Sequence, residues 1–229
     1  MRLHRFYVEE FLHNKKEIHT VERNLINQWR NVFRFKPGDK IILFDNSGFE
    51  FLGEIALLSK EKATVSIISF EKNLIVPKKE IYLFCSLIKK DKFEWVLEKG
   101  TELGISHFIP IISERSEKKN LNVDRAKKII TEAVEQSGRV FIPHLYDIVS
   151  LKDVFKTYSI PYVVFDREGE RINISSLPHT LGVFIGPEGG WSESEHKLFE
   201  IHNVSSSSFG NFTLKSETAA IAAAALFLV

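Results

Sequence analysis

The sequence predicts an α/β protein in two parts: a β-rich first third, then alternating strands and helices around a mainly parallel sheet. Three observations predict it. Residues 1–72 hold short strand candidates separated by the turns Lys36-Pro37-Gly38-Asp39 and Asn46-Ser47-Gly48, a spacing that suits a small barrel or meander. After an interruption from Glu71 to Lys79, marked by Pro77 followed by Lys78 and Lys79, apolar strand candidates alternate with helical stretches. Near the C-terminal end, two glycine loops each join a strand end to a helix start: Gly186-Pro187-Glu188-Gly189-Gly190, and Phe209-Gly210-Asn211-Phe212-Thr213-Leu214-Lys215. In such a domain, ligands sit at the carboxyl ends of the strands.

The elements follow in order. Strands are expected at Arg2 to Val8, Lys40 to Asp45, Phe49 to Leu58 and Ala63 to Ser69, with a helix from Asn24 to Phe33 carrying Leu25, Ile26, Trp29, Val32 and Phe33 at helical spacing. The fully apolar Ile81 to Ile88 is the next strand. Asp91 and Glu94 have the spacing of a capping box before a helix lined by Phe93, Val96, Leu97, Gly100 and Leu103, which Gly104 stops. His107 to Ile112 is a strand, and Asn122 to Ser137 a helix with an inner stripe of Ala126, Ile129, Ile130, Ala133 and Val134. Val140 to Ile142, Tyr162 to Phe165 and Val183 to Ile185 are further strand cores. Ser192 and Glu195 repeat the capping box, Val204 to Phe209 is a last strand, and Ser216 caps an Ala-rich terminal helix.

The totals exclude several classes. A chain of 229 residues with 44% hydrophobic and 27% charged side chains can bury a substantial core. The single Cys85 allows no internal disulfide and no cysteine-based zinc site, which suits a reducing, intracellular setting. The N-terminus lacks the apolar core of a signal peptide. The most apolar run, Ala219 to Val229, is too short to span a bilayer. Residues 1–140 carry 25 Lys and Arg against 20 Asp and Glu, net +5; residues 141–229 carry 6 against 10, net −4. A basic front suits presentation to a polyanion and equally suits a solvated surface.

No phosphate-binding Gly-x-x-x-x-Gly-Lys-Ser/Thr, no Gly-x-Gly-x-x-Gly after a strand and no Gly-x-Ser-x-Gly elbow occurs. The eight histidines include no i, i+4 pair, so no metal site is expected. What remains is a pocket built from glycine-rich backbone with one carboxylate, Glu188.

Four ordered stretches carry a family resemblance: His4-Arg5-Phe6-Tyr7-Val8; Lys89 to Gly104, continuing to Ile109-Pro110; Glu132-Ala133-Val134-Glu135-Gln136-Ser137-Gly138-Arg139; and the pair Gly186 to Gly190 with Leu214-Lys215-Ser216-Glu217-Thr218-Ala219. Together they span essentially the whole chain and resemble the bacterial 16S ribosomal RNA (uracil-N3)-methyltransferases of the SPOUT class. The resemblance implies an N-terminal PUA-like β-barrel over residues 1–72 and a SPOUT α/β domain with a deep trefoil knot over 73–229. It implies S-adenosyl-L-methionine as methyl donor, a cytoplasmic homodimer without membrane or metal partners, and a uridine of 16S rRNA or of the assembled small ribosomal subunit as substrate. A non-catalytic RNA-binding or ribosome-assembly factor, and a methyltransferase acting on another RNA, are the competing readings.

By the same resemblance, Ile185, Gly186, Pro187, Glu188, Gly189, Gly190, Phe209, Gly210 and Leu214 hold the cofactor, and Arg139, Lys215 and Glu188 serve the chemistry. Arg2, His4, Arg5 and Arg139 are the RNA-contact candidates. Uracil N3 carries a proton and is a poor nucleophile until it leaves, so a base or a cation near the uracil oxygens is needed. Glu188 either handles substrate or caps its own turn; Arg139 either touches substrate or complements a helix C-terminus. Glu135 and Gln136 are partly structural. The family usually shows arginine where Lys215 and Phe212 stand; lysine keeps the charge but not the planar fork. Glu217 braces the last helix beside Thr218, Trp191 belongs to the core, and the apolar terminal helix is expected in the knot core or a dimer interface.

Overall fold

Alternating apolar residues in the first third form strands that bury one face. The computed structural model describes residues 3–73, 75–171 and 177–229, so Arg2 lies outside the described residues. The chain divides into two compact units, Met1–Ile75 with Val134–Ile142, and Val76–Ala133 with Pro143–Val229.

The first unit holds a five-stranded sheet in the order β1-β3-β4-β5-β2. Its strands are β1 (Arg5–Tyr7), β2 (Glu17–Thr20), β3 (Lys40–Phe44), β4 (Phe49–Leu58) and β5 (Ala63–Lys72). β1 runs parallel to β3, and the other pairings are antiparallel. Along β4 the inward residues Phe51, Gly53 and Ile55 alternate with less buried ones, the period-2 pattern of a sheet packed on one side. Their core neighbours include Phe6, Leu12, Ile18, Ile41, Leu43 and Val65. The expected helix from Asn24 to Phe33 is in fact a short α1 (Arg23–Asn27) that continues as a π-wound turn over Gln28–Val32. Phe33 N–H reaches back five residues to Gln28 O, and Trp29 is fully buried against Phe6.

The second unit holds a parallel sheet in the order β12-β10-β11-β6-β7-β8, with β9 also beside β7. Its strands are β6 (Glu80–Ser86), β7 (His107–Ile112), β8 (His144–Leu145), β9 (Val149–Ser150), β10 (Tyr162–Arg171), β11 (Thr180–Ile185) and β12 (Ser205–Ser208). β6, β7 and β11 are nearly continuous buried runs because helices cover both faces of such sheets. On its outer side β7 pairs β8 through His107 and Phe108, then β9 through Ile111 and Ile112. The change of neighbour straddles Pro110, which has no N–H to give the ladder.

The helices are α2 (Lys90–Leu103), α3 (Val123–Ser137), α4 (Leu151–Thr157), α5 (Glu193–Ile201) and α6 (Ser216–Leu228). Gly104 ends α2 in the left-handed region at φ +110°, as expected. α4 and the short strands β2, β8 and β9 were not expected. Three expectations are corrected. The α2 N-cap is Lys89 without a side-chain cap bond. Glu94 instead takes a two-pronged bond from Arg125 of α3, at 2.5 and 2.7 Å, because a guanidinium fork outcompetes a capping role. Lys215, not Ser216, is the N-cap of α6.

The third concerns Val140 to Ile142, which is a loop rather than a strand. After α3 the chain turns at Gly138, φ +89°. Side chains of the first unit then satisfy its backbone: Asn73 donates to Gly138 O, Arg5 donates to Arg139 O at 2.9 Å, and Asn46 accepts from Ile142 N–H at 2.7 Å. Val140 is buried with Val134 and Phe44. Within Val140 to Ile142 itself the Ile142 N–H thus has a side-chain partner, and the segment pairs with no strand among the described residues.

Candidate functional site

Three adjacent strands of the second unit, β12, β10 and β11, end in loops that enclose a pocket of about 330 Å³. The β10 contribution depends on a break in pairing. Phe165 and Glu170 both face Ser207 of β12, so Asp166 to Gly169 leave the ladder. Bulges of this kind re-aim side chains beside functional sites, and here Asp166 and Arg167 line the pocket.

The β11 loop is the most firmly built wall. Gly190 N–H closes a turn onto Pro187 O at 2.9 Å, with Gly190 at φ +68°. A Cβ on Gly186 would lie 3.0 Å from the buried Trp191 ring, so only glycine lets that ring pack over the backbone. Trp191 is 6% exposed, packs edge-on against Phe199, and donates its indole N–H to Phe165 O at 3.3 Å. The expected capping box is present: Ser192 accepts from Glu195 N–H, and Glu195 accepts from Ser192 N–H. Glu195 also accepts from Glu114 N–H at 2.9 Å, tying the loop after β7 to the start of α5. From that same loop, Arg115 donates to Gly189 O at 2.8 Å and Trp191 O at 3.1 Å.

The β12 loop differs. Phe209 stacks on Phe165, centroids 4.0 Å apart and nearly coplanar, and Gly210 then turns at φ +106°. Asn211, Phe212 and Thr213 are exposed and make no hydrogen bond among the described residues.

The structure therefore gathers Ile185, Gly186, Pro187, Glu188, Gly190, Phe209, Gly210, Leu214 and Lys215 around one pocket. Gly189 belongs to the same loop but braces it through Arg115. Glu188 does not cap its turn: its carboxylate is exposed and accepts no hydrogen bond among the described residues. It does face Cys85, whose thiol is pushed up to about 12 by burial first and the Glu188 charge second, which leaves that sulfur inert. Lys215 is exposed and likewise has no ion pair. Glu217, by contrast, is buried and sits 3.4 Å from Lys92, bracing α6 against α2.

The remaining site candidates belong to the first unit. Arg5 pairs with Glu50, lies over the Phe44 ring and holds the Arg139 carbonyl, so its side chain is committed to bracing. Glu135 accepts from Tyr7 N–H at 3.0 Å. Burial lowers the Arg139 pKa to about 10, which leaves the guanidinium charged at neutral pH. His4 is exposed against Phe33. Arg115, Arg167 and Glu195 escaped functional notice in the sequence; only the Glu195 capping spacing signalled any of the three. Among the described residues no group of three or more His, Cys, Asp or Glu could hold a metal, and no helix is long and apolar enough to cross a membrane.

The pocket fits an adenosine-like ligand. It offers apolar walls at Ile185, Phe165, Phe209 and Leu214, and a Cβ on Gly190 or Gly210 would meet no atom within 4 Å, leaving backbone open to close approach. Its size is within the range of small-ligand sites.

Comparison with known proteins agrees. The RNA methyltransferase domain family matches residues 76–228, and the RNA methyltransferase PUA domain family matches residues 30–68. The ribosomal RNA small subunit methyltransferase E of Bacillus subtilis is 34% identical over 82% of this chain and 81% of its own; that of Rickettsia conorii is 29% identical over 98% and 95%. The crystal structure of the Neisseria gonorrhoeae methyltransferase E, bound to S-adenosyl methionine, superposes with a TM-score of 0.89 at 26% identity, covering 98% of this chain and 96% of that one. A Legionella pneumophila methyltransferase in complex with the same cofactor gives 0.92 at 26% identity, covering 99% and 97%. The chain belongs to the family of RNA methyltransferases that includes the ribosomal RNA small subunit methyltransferases E.

Proposed function

We propose that the protein methylates N3 of a uridine in 16S rRNA of the small ribosomal subunit, with S-adenosyl-L-methionine as donor. The observation that carries this reading is the pocket at the ends of β10, β11 and β12, where glycine backbone and apolar walls lie beside a carboxylate and an ammonium that have no partner among the described residues. Its relatives' names supply the substrate class.

When bound, S-adenosylmethionine supplies an electrophilic methyl group. The protein's task is then alignment and proton handling. Ile185, Phe165, Phe209 and Leu214 would hold the apolar part of the cofactor, and main-chain groups of Gly186 to Gly190 and Gly210 would hold its polar part. Lys215 stabilises negative charge developing on the uracil oxygens. Glu188 has a carboxylate with no competing bond, so it is the candidate acceptor of the N3 proton. Arg139 stays protonated below about 10 and is a cation for substrate, not a base. Arg5 holds its loop, and His4 with Arg2 are the remaining RNA-contact candidates.

The same reading assigns residues 1–72 to a PUA-like barrel for RNA and 73–229 to a knotted SPOUT domain. The strand order supports a threaded crossing: the chain leaves β11, passes β10 to form β12, and returns as α6 against α2 and β11. Partly exposed Ile221, Ala222, Ala225 and Leu226 on α6 support a homodimer, and a cytoplasmic enzyme follows from the substrate. The test is methylation of unmodified small subunits with labelled S-adenosylmethionine, followed by mass mapping of the product. Label at uridine N3 is expected. Folded protein that fails to bind the cofactor by calorimetry would point to a non-catalytic RNA-binding factor instead.

A further inference from the structure

The proposed reaction accounts for the inner part of the pocket and for Lys215, but not for two side chains on its rim. Phe212 lines the pocket yet is 87% exposed, and Asn211 to Thr213 around it make no hydrogen bond among the described residues. Arg167 is exposed and lines the same pocket, carried out of the β10 ladder by the break between Phe165 and Glu170. Its side chain has no ion pair among the described residues, and neither does that of Lys215. The neighbouring acid Asp166 is engaged, 3.2 Å from His196. A flat ring beside a cation with no ion pair among the described residues is a combination that holds single-stranded nucleic acid: the ring stacks on a base, and the cation takes a neighbouring phosphate.

We propose that Phe212 and Arg167, beside the catalytic Lys215, form a rim subsite for a nucleotide of the single-stranded RNA substrate, with Phe212 as stacking platform and Arg167 as phosphate contact. This rests on the methyltransferase reading of the same pocket. Phe212 and Arg167 are positioning residues: they fix where the strand lies and leave the inner walls to the cofactor. An exposed phenyl stacks on any base, so the subsite supplies register and affinity more than sequence choice.

The test uses the full-length protein and a labelled single-stranded oligouridine RNA of about ten nucleotides. Phe212→Ala is expected to weaken RNA binding about tenfold, with the salt dependence unchanged. Phe212→Trp restores it. Arg167→Gln is expected to reduce the slope of log affinity against log salt by about 0.7, the signature of one lost single-strand phosphate contact. S-adenosylmethionine affinity, measured by calorimetry on each variant, stays at the wild-type value. RNA affinity unchanged in Phe212→Ala, while wild-type protein methylates normally, overturns the stacking platform and leaves the methyltransferase reading standing. Loss of cofactor affinity in Phe212→Ala also overturns it, since the ring would then belong to the cofactor site. Wild-type protein that binds no cofactor overturns both.

Discussion

The loop from Gly186 to Ser192 is held by Arg115, by the Trp191 indole, by its own turn and by a capping box, whereas Asn211 to Thr213 are held by no hydrogen bond among the described residues. Both line one pocket, both begin at the carboxyl end of a parallel strand, and both lead into a helix. On the proposed reading, the difference is a division of labour. A small cofactor needs a preformed cradle, because ordering a loop at each binding event costs affinity. An RNA strand varies in conformation, and a loop that adapts can follow it. Glu188 is the exception within the rigid loop: the turn holds its backbone while its carboxylate stays uncommitted.

If the first loop is a rigid cradle, the largest effect should come from its buried anchor. Trp191→Ala removes an indole packed on Phe199 and leaves Phe165 O without its donor. A loss of about 3–5 kcal/mol in unfolding free energy is expected from urea denaturation, with cofactor binding lost alongside. A fall below about 1 kcal/mol would show that the loop is not held by its anchor.

Glu195→Ala should come next. It strips the acceptor from two backbone donors, Ser192 N–H and Glu114 N–H, and so unties the loop after β7 from α5. About 2–3 kcal/mol is expected, because partly buried donors without acceptors retain their desolvation cost. Glu195→Gln keeps one carbonyl oxygen and should recover part of that loss.

What the sequence made legible follows the range over which each signal acts. Apolar periodicity is local, so most strands and the helices α2, α3, α5 and α6 could be read within a few residues of their ends. The Ser192–Glu195 box and the Gly104 stop are also local. The pocket residues were legible for the same reason: a glycine loop between strand and helix is a contiguous pattern. The bracing was not. Arg115 meets Gly189 74 residues away along the chain, and nothing near Arg115 marks it. Arg167 is exposed to the pocket by a ladder break that depends on Ser207. Val140 to Ile142 read as a strand from composition, yet Asn46, Asn73 and Arg5 satisfy the backbone of this loop from far upstream. The Asp91–Glu94 box failed because Arg125, on another helix, claims Glu94.

A smaller effect separates backbone strain from packing. Gly190→Ala adds a methyl with no atom within 4 Å, so its whole cost is the left-handed conformation at φ +68°. About 1–2 kcal/mol is expected, measured as a shift in the denaturation midpoint. The turn onto Pro187 and the bonds from Arg115 to its neighbours prevent relaxation.

Gly210→Ala supplies the matched measurement in the second loop, and here the smallest effect is expected. Its φ of +106° is less hospitable to alanine than that of Gly190, and an added Cβ again meets nothing within 4 Å. Taken one residue at a time, Gly210 should therefore suffer more. The surroundings reverse the order: with Asn211 to Thr213 exposed and making no hydrogen bond among the described residues, the chain can rotate away from the strained conformation without breaking one. A stability loss of about 0.5 kcal/mol or less is expected, while cofactor affinity falls because the relaxed backbone no longer lies along the pocket wall. Gly210→Ala destabilising the fold more than Gly190→Ala would mean that the second loop is as constrained as the first. The adaptability assigned to the RNA-facing rim would then have no structural basis.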